Sequence, residues 1–319
     1  MSEILTKRNT LYGIGFMLTA FALLNATNVI IKLEASTHTI GQIVFLRNAF
    51  GLLPAIVMVL AQGGLKAFKF QNIGLHLKRG ILGSVGVFLI LLSLKLLILT
   101  EAATIYFTAS LFITALAWPI LKESVGIHRW SAVILGFAAI LLANLPLDLI
   151  KVGTIIALLG AFFDATNHIY SRLLSREEKT GIIHFNYTLI GTITTLPLIL
   201  INPDCSLFSD MPLSADIFGW PEASWEFLSF MALVGIGGSL GQLCITLANH
   251  FASPPVIAPM IYSSLLWGIF YDVTVWGKYP PLKLLLAATA VIACGLYIIY
   301  RERKTLPTKG APMTKTILK

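Results

Sequence analysis

The second half of this chain repeats the first, faintly and in order. Asn25-Ala26-Thr27-Asn28-Val29-Ile30 is echoed by Asp164-Ala165-Thr166-Asn167-His168-Ile169. Gly41, Ile43, Phe45 and Gly51 recur 140 residues later as Gly181, Ile183, Phe185 and Gly191. Gly80, Gly83, Ser84 and Gly86 recur 155 residues later as Gly235, Gly238, Ser239 and Gly241. The register drifts only through one loop insertion, which is the pattern of two homologous halves. In a membrane protein, such halves point to a transporter with its substrate site between them.

The chain is 56% hydrophobic and 12% charged, with a mean hydropathy of +0.83. A hydrocarbon core of about 30 Å takes roughly 20 apolar residues per helix. Ten runs approach that length: 11–31, 41–61, 79–98, 102–121, 130–147, 152–173, 183–201, 226–248, 255–276 and 282–300. Periodicity does not separate a buried soluble helix from a span, but length does. The first run lacks a small-residue cleavage site and reads as a retained helix. The expected fold class is therefore an all-α polytopic membrane protein with ten transmembrane helices. Five spans per half is an odd number, so the second half enters the membrane upside down. The predicted organisation is two inverted five-helix repeats, 1–150 and 151–302, followed by a basic tail, 303–319.

The net charge of +8 raises the question of a nucleic-acid partner, and its distribution answers it. With the N-terminus inside, seventeen of the 23 Lys and Arg fall in cytoplasmic segments. Five lie on the opposite side or its helix ends: Lys32, Lys95, Lys151, Lys278 and Lys283. Arg47 alone is left within a span. This positive-inside bias places both termini in the cytoplasm and accounts for the basicity without nucleic acid. The 202–225 loop carries Asp204, Asp210, Asp216 and Glu222 and no Lys or Arg, as an outer loop should. The basic tail is expected to lie near anionic membrane lipid.

Motifs for other chemistry are missing. Cys205, Cys244 and Cys294 lack metal-ligand spacing. There is no H-E-x-x-H pair and no phosphate-binding G-x-x-x-x-G-K-[ST] loop, so neither a metal nor a cofactor is expected. Gly237-Gly238-Ser239-Leu240-Gly241 satisfies G-x-S-x-G, but it lies inside an apolar run and not at a strand-to-helix turn. An enzyme and an ATP-driven pump are both disfavoured against a secondary carrier.

Several segments carry a family resemblance. Phe45-Leu46-Arg47 lies early in the second run, and Lys78-Arg79-Gly80 opens the third. The fourth ends in Pro119-Ile120-Leu121-Lys122-Glu123, followed by Arg129-Trp130 and Gly136-Phe137. The ninth contains Ala258-Pro259-Met260-Ile261-Tyr262-Ser263-Ser264-Leu265-Leu266-Trp267. With ten spans as five plus five, the chain resembles the drug/metabolite transporter superfamily of EamA type over about residues 10–302. After Gly241-Gln242 it is similar to the branch of S-adenosylmethionine uptake carriers of intracellular bacteria. The resemblance implies a bacterial inner-membrane location and a small-molecule substrate. It leaves the direction of transport open between uptake and export of amino acids or related metabolites. A homodimer is left open. One position departs from the family: the second-half counterpart of Glu123 is Lys278.

Polar residues inside spans are costly and mark candidate sites. Asn25 and Asn28 in the first span correspond to Asp164, Asn167 and His168 in the sixth. The i, i+3, i+4 spacing puts the latter three on one helix face. These faces are the first candidates for a substrate cavity, with interhelical hydrogen-bond packing as the competing reading. Arg47 reads either as a carboxylate contact or as the partner of an acid such as Asp272. Lys95 reads as a local partner of Glu101. Gln242, Tyr262 and Trp267 complete the candidate set as polar and aromatic lining. A substrate cation would be drawn to Asp164 and to aromatic faces. The glycines three apart at 80, 83, 86 and at 235, 238, 241 are expected to let helices approach closely.

Overall fold

Close helix contact in this protein is made by glycine, and the glycines report how the bundle is assembled. The computed structural model describes residues 2–64, 72–121, 130–131, 134–135, 138, 152–174, 177–202, 213–251, 260 and 263–305. Among them every regular element is helical: α1 Ser2–Glu34, α2 Ile40–Gly63, α3 Ile73–Leu96, α4 Leu99–Tyr106, α5 Thr108–Leu121, α6 Val152–Leu174, α7 Thr180–Leu200, the single turn α8 Ser214–Ile217, α9 Trp225–Phe251, α10 Ser263–Trp276 and α11 Leu282–Thr305. Six of these are long and apolar enough to cross a membrane: Leu11–Glu34, Ile40–Gly63, Ile73–Leu96, Val152–Ser171, Thr180–Leu200 and Trp225–Ile245. The protein is thus a multi-pass, all-helical membrane protein. Most of the expected fifth span, 130–147, lies outside the described residues, as do Tyr262 and the tail beyond Thr305.

Two boundaries differ from those read in the sequence. The third helix begins at Ile73, so Arg79 lies on its second turn and is buried. The fourth run divides into α4 and α5 at Phe107. There Thr108 Oγ1 donates to the Ile105 carbonyl at 2.6 Å, and Thr104 Oγ1 to the Thr100 carbonyl at 2.8 Å. Such side-chain bonds compete with the helical ladder and bend it.

α1 packs along α9, α2 along α7, and α3 along α6. The contacts come in reciprocal pairs that follow the sequence repeat. Gly41 meets Leu198, and Gly181 meets Met58. Gly51 meets Thr188, and Gly191 meets Asn48. Gly80 lies under Ile190, and Gly235 under Phe50. Gly83 faces Tyr187, and Gly238 faces Arg47. In each pair the second contact joins the counterparts of the first, as in a self-complementary interface.

Backbone meets backbone where α3 crosses α6. A methyl group on Gly86 would stand 2.8 Å from Asp164 N and 3.1 Å from the Phe163 carbonyl carbon. Neither atom can swing aside as a side chain can. Gly86→Ala is expected to cost about 1–3 kcal/mol by overpacking. Gly74, with nothing within 4 Å, is the control. Thermal unfolding in detergent checks it: equal midpoints for the two alanine variants would show that α3 and α6 are not held this closely.

The bundle ends differ. Where α1 passes into α2, an apolar cluster including Ile31, Ile43, Leu92, Leu97, Phe227 and Met231 fills the interior. The acidic segment closes over it. Thr39 Oγ1 donates to the Gly219 carbonyl and Gln42 Nε2 to the Pro221 carbonyl, each at 3.1 Å. Lys95 bonds Asp216 at 2.6 Å, so its partner comes from this segment and is not Glu101. At the opposite end a cavity opens.

Candidate functional site

The cavity holds about 200 Å³ and lies among α2, α3, α6, α7 and α9. Its polar lining includes Arg79, His168, Ser171, Thr180, His184 and Gln242. Thr180 begins α7 and Met58 sits near the end of α2, so the cavity belongs to the bundle end away from the acidic segment.

Asp164 is the centre of the hydrogen bonding behind it. Oδ2 accepts from the Tyr106 hydroxyl at 2.6 Å, across from α4 to α6. Oδ1 accepts from Asn167 Nδ2 at 3.2 Å. His168 Nε2 lies 3.4 Å from Oδ2. The helical spacing read in the sequence thus brings Asp164, Asn167 and His168 together. Asp164 is 8% exposed while the His168 side chain is 49% exposed, so the imidazole is the member that reaches open space. The crossing at Gly83 and Gly86 holds this helix face against α3.

Two arginines project from α2 and α3. Arg47 Nη1 donates to Asn48 Oδ1 at 3.4 Å, and its guanidinium lies beside Gly238 of α9. Arg79 Nη1 donates to the Ile183 carbonyl at 2.7 Å, and its guanidinium lies over the Tyr187 ring at 4.7 Å. The charge of Asp164 reaches both guanidiniums. On α7, His184 Nε2 sits 3.2 Å from Ser239 Oγ. That hydroxyl donates to the Gly51 carbonyl at 2.9 Å, so its oxygen accepts from the imidazole.

The other candidates scatter. Asn25 Nδ2 donates to the Phe21 carbonyl at 2.8 Å and to Ser264 Oγ at 3.0 Å, which ties α1 to α10 and not to the Asp164 cluster. Asn28 is half-buried on α1 and bonds to none of the described residues. Gln242 lines the cavity. Trp267 stacks on Tyr271 at 6.2 Å and meets Phe270 edge-on at 6.1 Å, outside the cavity lining. Asp272 is not the partner of Arg47. It is fully buried and accepts from Leu99 N at 3.0 Å and Thr100 N at 2.6 Å, capping α4.

The sequence reading missed Arg79 and His184. Arg79 was counted with the cytoplasmic charges because it stands beside Lys78 at the edge of an apolar run. It also missed a second buried cluster, in which His76 Nε2 lies 2.8 Å from Glu178 Oε2 and Asn186 Nδ2 lies 3.3 Å from the His76 ring. One signal was available: Arg79, His184 and Glu178 all lie within one turn or two of an apolar helix end, where position alone leaves burial undecided.

Comparisons with known proteins agree on the class. Residues 11–145 match the EamA-like transporter family. The chain is 23% identical over 304 residues to an S-adenosylmethionine uptake transporter of Rickettsia conorii, covering 94% of this chain and 96% of the other. It is 24% identical over 303 residues to a riboflavin transporter of Vibrio cholerae, covering 93% and 96%. A pseudopaline exporter of Pseudomonas aeruginosa is 22% identical over 279 residues, covering 87% and 92%. One solved crystal structure matches with a TM-score of 0.61 at 16% identity, over 92% of this chain and 98% of that one, which is a likeness of fold. With an EamA-like transporter domain matched over residues 11–145 and transporters aligned along its length, the protein is a membrane transporter and not an enzyme.

Proposed function

We propose that the protein is an inner-membrane secondary carrier that moves a small polar metabolite by alternating access. The carrying observation is a polar cavity, open at one bundle end and closed at the other, whose walls come from both halves of the chain. The reciprocal glycine contacts support two inverted five-helix repeats, 1–150 and 151–302, ten transmembrane helices in all. The charge asymmetry supports cytoplasmic termini and a cytoplasmic tail, 303–319. Exposed apolar side chains such as Val57, Ile155, Ile193 and Leu233 suit contact with lipid.

S-adenosylmethionine uptake is the named candidate, supported by the Rickettsia relatives and by groups able to meet an amino-acid head. Arg47 and Arg79 suit a carboxylate, and His168 and Gln242 suit polar contacts. The second reading is an exporter of amino acids or related metabolites. Cavity size favours it: about 200 Å³ falls below the range of about 300–1,000 Å³ typical of drug-sized ligands. An amino acid fits as the cavity stands, whereas an adenosyl group requires it to widen.

Counterflow in proteoliposomes separates the readings. Saturable exchange of labelled S-adenosylmethionine is expected. Exchange of neutral amino acids without S-adenosylmethionine selects the exporter, and unsaturable flux means a channel. Topology has its own test: a cysteine at Ser209, in the acidic loop, is expected to react with impermeant reagent only from outside. Labelling only from the cytoplasmic side would sink the ten-span arrangement.

A further inference from the structure

Arg79 is held on two sides, and its Nε has no partner among the described residues. It is 5% exposed, with Nη1 pinned to the Ile183 carbonyl and its face on the Tyr187 ring. A guanidinium carries five N–H donors. Among the described residues the Ile183 carbonyl is the one acceptor Arg79 has, and Nε is buried with no partner. The Nε–Nη2 edge is therefore unspent, in a side chain that lines the cavity. A buried donor left unpaired is costly, and native structures rarely leave one without a reason.

The charges point the same way. The carboxylate of Asp164 acts on both guanidiniums. Its oxygens are already engaged by Tyr106, Asn167 and His168. Two guanidinium charges thus share one carboxylate, beside the imidazoles of His168 and His184. This surplus is positive, so a substrate cation has little to gain at Asp164.

We propose that the Nε–Nη2 edge of Arg79 is an anion subsite for the carboxylate of the transported solute. The assignment rests on the carrier reading and narrows its substrate to carboxylate-bearing metabolites. A planar two-oxygen anion accepts two parallel bonds from one guanidinium edge. Asp164 close by disfavours a dianion such as phosphate more than a monoanion. The stacking and the Ile183 bond fix the plane in advance, so little ordering is left for the ligand to bring about.

The test uses the full-length protein in detergent and thermal-shift titration with matched pairs: S-adenosylmethionine against its decarboxylated form, and L-methionine against methioninol. Inorganic phosphate is a separate arm. In at least one pair the acid is expected to bind about tenfold or more tighter than its partner. Arg79→Lys keeps the charge but loses the fork, and is expected to weaken the acid about tenfold. Arg79→Gln is expected to bring the ratio of acid to partner near one while binding of the partner is kept. Equal binding of both members to the wild type overturns the proposal without need of a variant. So does selectivity retained in Arg79→Gln, the failure of every acid to shift the protein, or phosphate binding more tightly than any acid. Acid-selective binding with no counterflow of any probe instead removes the carrier reading and leaves the subsite.

Discussion

Asp272→Ala is expected to lower stability by about 3–5 kcal/mol, the cost of removing one partner from a buried charged contact. Asp272 is fully buried, and its two oxygens take the Leu99 and Thr100 amides. Both are first-turn donors of α4 with no intrahelical acceptor, and the preceding Ile98 supplies no side-chain cap. The carboxylate also faces the positive end of the helix. Alanine orphans both amides and withdraws the charge. Against a total stability of about 5–15 kcal/mol, that is a large fraction. Asp272→Asn retains one acceptor and is expected to lose less. The consequence reaches the cavity, because α4 ends at Tyr106, which bonds Asp164. Thermal unfolding of the full-length protein in detergent is the measurement. An Asp272→Ala midpoint equal to the wild type would mean that water or another group can cap α4.

Asp164→Asn is expected to reduce transport about ten- to hundredfold, equivalent to about 1.5–3 kcal/mol for a charge-assisted contact in a desolvated site. An amide has one acceptor and one donor group where the carboxylate has two acceptors. Tyr106, Asn167 and His168 all point donors at this position, so asparagine leaves at least one of them facing an N–H. The substitution also strips Arg47 and Arg79 of their shared counter-charge. Proteoliposomes matched for protein content separate loss of transport from loss of folded carrier. Normal counterflow by Asp164→Asn across about pH 5 to 8, the range in which histidine titrates, would remove Asp164 from both substrate handling and proton transfer.

How far the site could be read in advance depends on the range of the interaction. Asp164, Asn167 and His168 were legible because a helix dictates which residues three and four apart share a face. The glycine triplets were legible as close-approach positions because no other residue leaves a backbone uncovered. Their partners were not: that Gly83 faces Tyr187 and Gly238 faces Arg47 depends on how helices far apart in sequence dock. Asn25 shows the same limit. Its repeat position matches Asp164, yet it bonds Ser264 of α10. Lys95 was assigned to Glu101 by proximity along the chain, and folding of the acidic segment brought Asp216 to it instead.

Sequence by itself determined that the chain is helical and crosses a membrane, because roughly 20 apolar residues in a row have no other satisfied backbone in lipid. It also determined which helix face carries the acid. Tertiary structure alone decided that Arg79 is inside. Hydropathy marks a span's edge only to within a turn or two, and a charge at that edge reads as a surface residue. Docking of α7 on α3 puts Tyr187 over the guanidinium and the Ile183 carbonyl beside it, and those contacts turn an edge charge into a buried, oriented donor. Tertiary structure likewise decided that Asp272 caps a helix, since a carboxylate carries no record in its sequence of which amides will reach it.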